Sequence, residues 1–436
     1  MELYSTNSHS LKVDFPTAVF NSMPLDKGLY MPREIPVLQP AFFEKIGTMS
    51  LPEIAFEVAS ALIGSAIPAA DLKVIIDETL SFDAPVKELN PNTYVLELFH
   101  GPSLAFKDFG ARFMSRIMGY FLRENEQMLD VLVATSGDTG GAVALGFLGV
   151  PNTRVTILYP KGKVSDIQEL QLCTNGNNIH AIAVNGTFDD CQALVKQAFA
   201  DDELTAQFRL TSANSINIAR LIPQTFYYFN AYAQLARLGK TKIVFAVPSG
   251  NFGNIAAGLM AYKMGLPVHQ FIAATNANDT VPRFLESGIY ETRASVQTYS
   301  NAMDVGAPSN WVRIMDLFND DVEALKAIVS SSAYSDAETQ EAIAEIYTRY
   351  DYVACPHTAI AYRALSNYLS LYKDDGLTGV FLSTAHPCKF PDVFPEEIAA
   401  AIETPDQVSE LRSKTSTAQE MEAVYADFKA YLQAAR

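Results

Sequence analysis

The chain has 436 residues, 49% of them hydrophobic and 19% charged, which is enough to bury two or three cores and typical of an ordinary globular protein. Its 49 Asp and Glu outnumber 32 Lys and Arg, a formal net charge of −17. That excess argues against a nucleic-acid or anionic-membrane partner and obliges any anionic ligand to find a local basic pocket. The four cysteines, Cys173, Cys191, Cys355 and Cys388, contain no C-x-x-C pair, and the six histidines contain no H-x-x-x-H pair, so neither a disulfide framework nor a metal site is expected. No run approaches the ~20 apolar residues that span a bilayer. Met1-Glu2-Leu3-Tyr4 shows no basic-then-apolar signal, and a cytoplasmic location is expected.

Residues 1–92 read as a small unit of their own. Ser50-Leu51-Pro52-Glu53 has the pattern of a capping box with Pro in the first turn; Ile54, Val58 and Leu62 follow at helical spacing, and Gly64 lies near the end. Asp71–Leu80 is a second helical candidate, and Asp83–Asn92 reads as a connector. From Tyr94 onward strand and helix patterns alternate. Apolar strands are expected at Tyr94–Phe99, Val131–Ala134, Val155–Leu158, Ile179–Val184, Ile243–Val247, Val268–Ala274 and Gly379–Leu382. Helices are expected after Lys107, over Ala142–Phe147, Ser165–Cys173, Phe188–Phe199 and Ile216–Leu238, and from Ile255. Continuous apolar strands separated by helices imply parallel sheets covered on both faces, with ligands at the carboxyl ends of the strands. The tail, Pro395–Arg436, reads as helical packing, with a second capping box at Thr417-Ala418-Gln419-Glu420 and Met421, Val424, Phe428 and Leu432 on one stripe.

Four segments at strand exits carry chemistry. In His100–Phe113, HGPSLAFKDFGARF, Lys107 lies in the first turn of a helix between aromatic neighbours. The positive end of a helix is a poor place for a cation, so this amine should lose its proton more readily than a solvated one, as Schiff-base chemistry with an aldehyde requires. Ser249-Gly250-Asn251-Phe252-Gly253-Asn254 has glycines that permit close backbone approach, so that several N–H groups can converge on a phosphate. Thr135-Ser136-Gly137-Asp138-Thr139-Gly140 offers hydroxyls and N–H groups to a carboxylate, and Ser383-Thr384 closes the last strand. No G-x-G-x-x-G or G-x-x-x-x-G-K-[ST] loop occurs, which weakens dinucleotide and ATP readings.

In that order, HGPSLAFKDFGARF, Ala134–Ala144 (ATSGDTGGAVA), Val247–Asn254 (VPSGNFGN) and Ser383–Phe390 (STAHPCKF) resemble the motifs of threonine synthases, and the likeness runs from the N-terminus to at least Phe394. The resemblance implies an α/β enzyme of the tryptophan-synthase-like fold type II. Its two parallel-sheet domains would have helices on both faces and be joined by a small N-terminal domain. The expected division is 1–92 for the small domain, 93–130 with 240–436 for the large one, and 131–239 for a smaller α/β domain. It implies pyridoxal 5′-phosphate as cofactor, held by Lys107 as an imine and by Ser249, Gly250, Asn251, Phe252, Gly253 and Asn254. Asp138 would lie near the ring and the Thr384 hydroxyl on the pyridine nitrogen. It implies O-phospho-L-homoserine as substrate, with Thr135, Ser136, Gly137 and Thr139 on the carboxylate. Among cations near these loops (Arg112, Arg154, Lys161 and Lys163), Arg112 and Lys161 are the candidates for the substrate phosphate. No metal is expected, and a monomer or homodimer is. A serine/threonine dehydratase sharing the cofactor, and a non-catalytic ligand-binding relative, are the alternatives.

Overall fold

The computed structural model describes residues 1–123, 127–372 and 376–434. Six strands form the larger sheet, in the spatial order Val329–Ala333, Gln270–Thr275, Ile243–Pro248, Thr378–Ser383, Thr93–Glu97, Val86–Asn90. All neighbours run parallel except the last pair, where Val86–Asn90 returns antiparallel as an edge strand. Of the four inner strands, Ile243–Pro248, Thr378–Ser383 and Thr93–Glu97 are buried along their whole length and Gln270–Thr275 in all but its first residue, as expected of strands with helices on both faces. Three of the four motifs leave from three consecutive neighbours in this sheet, so they emerge side by side at its carboxyl edge. Lys107 follows Thr93–Glu97, Thr384 follows Thr378–Ser383, and the glycine loop follows Ile243–Pro248.

The second sheet is fully parallel, in the order Gln419–Glu422, Ile179–Asn185, Thr153–Pro160, Leu129–Ala134, Arg209–Ser212. The fourth motif leaves its strand Leu129–Ala134. A three-stranded antiparallel sheet (Glu2–Ser5, Ser8–Asp14, Tyr30–Pro32) and the helices Leu51–Ile63 and Ala69–Thr79 make up most of the N-terminal region. In the capping box at the start of Leu51–Ile63, Ser50 N donates to Glu53 Oε2 at 2.8 Å. Leu3, Ile54 and Val58 share one hydrophobic core with Phe109, Phe113 and Phe226, so this region packs directly onto the helix that begins at Lys107. Among the described residues no helix is long and apolar enough to cross a membrane.

Several elements differ from the sequence reading. Val86–Asn90, inside the expected connector Asp83–Asn92, is an edge strand paired antiparallel with Thr93–Glu97. Ile216–Leu238 is two helices, Ile218–Leu221 and Gln224–Ala236, because Pro223 has no N–H to continue the ladder. Val329–Ala333 is an edge strand that its Ser-Ser-Ser run conceals. The capping box expected at Thr417–Glu420 is absent. Gln419–Glu422 is instead a strand paired with Ile182–Asn185, and the helix begins at Tyr425. This edge pairing satisfies the tail's backbone groups. Phe428 and Leu432 then bury against Leu132, Ile182 and Leu194, which ties the tail to the five-stranded sheet although its sequence follows the six-stranded one.

Candidate active site

A cavity at the carboxyl edge of the larger sheet is walled by Lys107, Asp138, Gly250, Asn251, Phe252, Gly253, Asn254 and Thr384, drawn from all four motifs. Ser215 and Met303, from the family-like segments Ser212–Asn217 and Ser300–Asp304 to which the sequence assigns no role, also line it, as do Arg220, Gln224 and His357, which the sequence did not single out.

Lys107 is the first residue of the helix Lys107–Leu122. Among the described residues its amine has no hydrogen-bond or ion-pair partner; it lies 4.6 Å from the centre of the Phe106 ring. Burial and the nearby Arg220 guanidinium lower its pKa to about 8, against an opposing pull from Asp138. A substantial fraction is therefore neutral near physiological pH, the form that attacks an aldehyde.

The glycine loop is shaped from within. Phe252 adopts the left-handed conformation (φ 58°) at the N-cap of the helix Gly253–Lys263 and places its ring edge-on to Trp311 at 5.6 Å. Asn251 Nδ2 donates to Ser215 Oγ at 2.6 Å, Asn251 Oδ1 accepts from Ser309 N at 2.6 Å, and Asn254 Nδ2 donates to Pro248 O at 2.7 Å. A Cβ on Gly250 would stand 2.6 Å from the Met303 Cα, whereas one on Gly253 would meet Asn310 Nδ2 at 3.3 Å. The glycines thus leave bare backbone at a helix N-terminus, where the first N–H groups lack intrahelical acceptors and favour a phosphate. Ser249 lies below this loop, its hydroxyl donating to Val247 O at 2.9 Å and its N–H to Ala274 O at 2.8 Å, so it braces the loop without walling the cavity.

Asp138 reaches the cavity as a carboxylate with its counter-ion already in place. Its Oδ1 accepts from Lys389 Nζ at 2.6 Å and from Gln168 Nε2 at 2.9 Å. Burial alone would raise this carboxyl, but the Lys389 ammonium overcomes that penalty and its pKa is lowered. His357 is buried and its pKa falls to about 4 for that reason, so it is a neutral imidazole. Its Nε2 accepts from Ala302 N at 3.2 Å, which puts the ring proton on Nδ1.

The other expected substrate groups do not enter this cavity. Thr135 Oγ1 accepts from Gly137 N (3.0 Å) and Gly140 N (2.9 Å), so it holds the loop closed. Gly137 (φ 134°) is packed against the Gln168 side chain, and Ser136 and Thr139 are half-exposed beside Asp138. Arg112 points the other way, its guanidinium donating to Thr79 O (2.9 Å), Glu78 O (2.5 Å) and Ser81 Oγ (2.9 Å) of the N-terminal region. Lys161 pairs with Glu420 Oε2 at 2.6 Å on the tail strand, and Arg154 pairs with Asp130 at 2.5 Å. The cation that does line the cavity is Arg220, buried beside Gly110, with one guanidinium N–H on Ala213 O and its Nε without a partner among the described residues.

An amine that gives up its proton readily, a bare-backbone phosphate cradle and the strand-end hydroxyl of Thr384 share one cavity, which meets the needs of a phosphate-bearing aldehyde cofactor. Known proteins agree. The pyridoxal-phosphate dependent enzyme family matches residues 78–383, the threonine synthase N terminus residues 2–80, and the threonine synthase C-terminal region residues 358–432. Threonine synthase of Serratia marcescens is 47% identical over 392 residues, 90% of either chain. The crystal structure of threonine synthase from Escherichia coli matches with a TM-score of 0.92 at 41% identity over the whole of both chains. The pyridoxal-phosphate-bound threonine synthase of Brucella melitensis matches with a TM-score of 0.90 at 34% identity, over 100% of this chain and 99% of that one. With a buried, readily deprotonated lysine facing a bare-backbone helix start and this full-length likeness in place, the chain belongs to the threonine synthase family of pyridoxal-phosphate-dependent enzymes.

Proposed function

We propose that the chain converts O-phospho-L-homoserine and water to L-threonine and phosphate, in the cytoplasm, as a monomer or homodimer that needs no nucleic-acid or membrane partner. The observation that carries this reading is the Lys107 amine sharing one cavity with a glycine-lined phosphate cradle and the buried Arg220 guanidinium. Lys107 and residues 250–254 would hold pyridoxal phosphate, which supplies the electron sink for charge developing at the substrate's α carbon. Lys107, with its lowered proton affinity, takes protons from the α and β carbons of the substrate and returns one to the α carbon, while the γ carbon gains a proton as phosphate departs and the hydroxyl of water adds at the β carbon. Thr384 offers a hydroxyl, a neutral partner, to the pyridine nitrogen. Arg220 is the cation for the substrate's phosphate, in place of Arg112 and Lys161. The start of the helix Asp138–Phe147, whose first residue walls the cavity, takes the carboxylate.

Purified protein is scanned for visible absorbance before and after phosphohomoserine is added, with phosphate and threonine assayed in parallel. Stoichiometric release of both supports the reading. Conversion of threonine to a 2-oxo acid without turnover of phosphohomoserine would establish a dehydratase instead.

A further inference from the structure

Lys389 follows Thr384 by five residues and is completely buried in the short turn Pro387–Lys389. Its ammonium contacts Asp138 Oδ1 at 2.6 Å and Ser103 O at 2.9 Å. Gln168 donates to the same carboxylate oxygen, so both donors act on Oδ1 while Asp138 remains part of the cavity wall. A fully buried ammonium is tolerable only where a carboxylate and further acceptors replace its water. The pair brings together two elements far apart in sequence, at the wall that the Lys107 amine shares.

The charged and titratable groups around that amine come from four elements. Arg220 lies in Ile218–Leu221 and pushes the proton off Lys107; Asp138 lies in Asp138–Phe147 and holds it on. His357, in Pro356–Leu371, is neutral, and Lys389 stands behind Asp138. On the amine's own helix, Asp108 is turned away, its Oδ2 accepting from Ser103 N at 2.9 Å.

We propose that Lys389 is a positioning residue for the proton chemistry of Lys107, because its bond to Asp138 sets the strength and the place of the negative charge that the wall turns toward the amine. The proposal rests on the reading of Lys107 as the cofactor lysine. It adds no covalent step: what changes is the affinity of one nitrogen for one proton.

The test is a pH titration of the visible absorbance of the holoenzyme in the wild type, D138N, K389M and the double variant. D138N removes the anion that holds the proton on the nitrogen, leaves the Lys389 charge behind it uncompensated, and should lower the midpoint by about one pH unit, a tenfold loss of proton affinity. K389M leaves Asp138 ionised, still held by Gln168 and the helix N-terminus, and should raise the midpoint by a similar amount. Removing both charges should return the midpoint to near the wild-type value. Opposite shifts that cancel are not expected of groups that serve packing alone. Midpoints that coincide, or that move the same way, overturn the proposal. K389M leaves a buried carboxylate without its counter-ion and can prevent folding; in that event D138N decides, and an unchanged or raised midpoint there is sufficient to overturn it. A wild-type protein with no visible band removes the cofactor-lysine reading and this inference with it, whereas a band indifferent to Asp138 and Lys389 removes the inference alone.

Discussion

The backbone N–H of Phe106 donates to the carbonyl of Thr384 at 2.8 Å, so the loop that ends in Lys107 is stitched to the exit of the neighbouring strand. Ala105 bridges Ala385, and His386 N donates to Leu104 O at 2.9 Å, extending the seam. Leu104 sits at φ 57°, an unusual conformation for a leucine, and packs against Ile167, Cys388 and Val408. The amine is therefore placed by backbone pairing and by this small apolar cluster, and needs no side-chain partner of its own. Lys107→Ala should leave this frame intact, with stability within about 1 kcal/mol of the wild type by urea titration, while abolishing the visible absorbance and turnover. Retained turnover would remove the central assignment.

Gly250 and Gly253 should respond differently to a single methyl. At Gly250 the new Cβ meets the Met303 backbone, which cannot swing aside, so Gly250→Ala should cost about 1–3 kcal/mol and weaken cofactor affinity at least tenfold. At Gly253 the nearest atom is the end of the Asn310 side chain, so Gly253→Ala should be milder and Gly253→Val worse as its branches crowd the phosphate. Equilibrium dialysis against pyridoxal phosphate measures the order, and equal affinities across the three would refute it.

Arg220→Met should raise KM for phosphohomoserine about tenfold or more while the absorbance of bound cofactor persists, since one charge-assisted contact to a phosphate is worth roughly 1.5–3 kcal/mol. An unchanged KM would return the phosphate to another part of the cavity.

Asp108 is buried one residue from the amine, and its carboxyl pKa is raised by burial to about 6, above the ~3.9 of an unfolded chain. The folded state thus binds this proton more tightly. The stability it contributes is fully present below about pH 4 and is lost as pH rises through about 6. Asp108→Asn removes that dependence, so the variant should gain on the wild type by about 2 kcal/mol between pH 4.5 and 7.5 in urea titrations. Parallel curves would mean that the carboxyl titrates normally.

Arg313 is fully buried and donates to Asn310 Oδ1 (2.7 Å), Ser215 O (3.1 Å), Ile216 O (2.6 Å) and Tyr30 O (3.1 Å). It joins the N-terminal sheet to the loop that carries Ser215, which in turn holds Asn251. Arg313→Met leaves those acceptors without their donor and should cost about 3 kcal/mol or more. Limited proteolysis should then cut near Tyr30 before the rest of the chain is touched.

What could be read from the sequence is what local physics specifies. Apolar runs that bury on both faces, glycines at strand exits and a lysine in a first helical turn are consequences of neighbours a few residues apart, so the parallel sheets, the glycine loop at 250–254 and the helix start at Lys107 were legible as local features. The choice of cations was not. Arg112 lies five residues after Lys107, about 140° further round the same helix, and so faces the N-terminal region. Lys161 was claimed by Glu420 once the tail added a strand. Arg220, His357 and Lys389 have no local signature, because their roles arise from burial and from which strands become neighbours. Pairing Thr93–Glu97 with Thr378–Ser383, and the latter with Ile243–Pro248, brings the amine, the hydroxyl and the cradle to one edge. Long-range packing alone put a counter-ion behind Asp138 and a guanidinium beside the amine, since a buried charge acquires its partner only when the whole chain has closed around it.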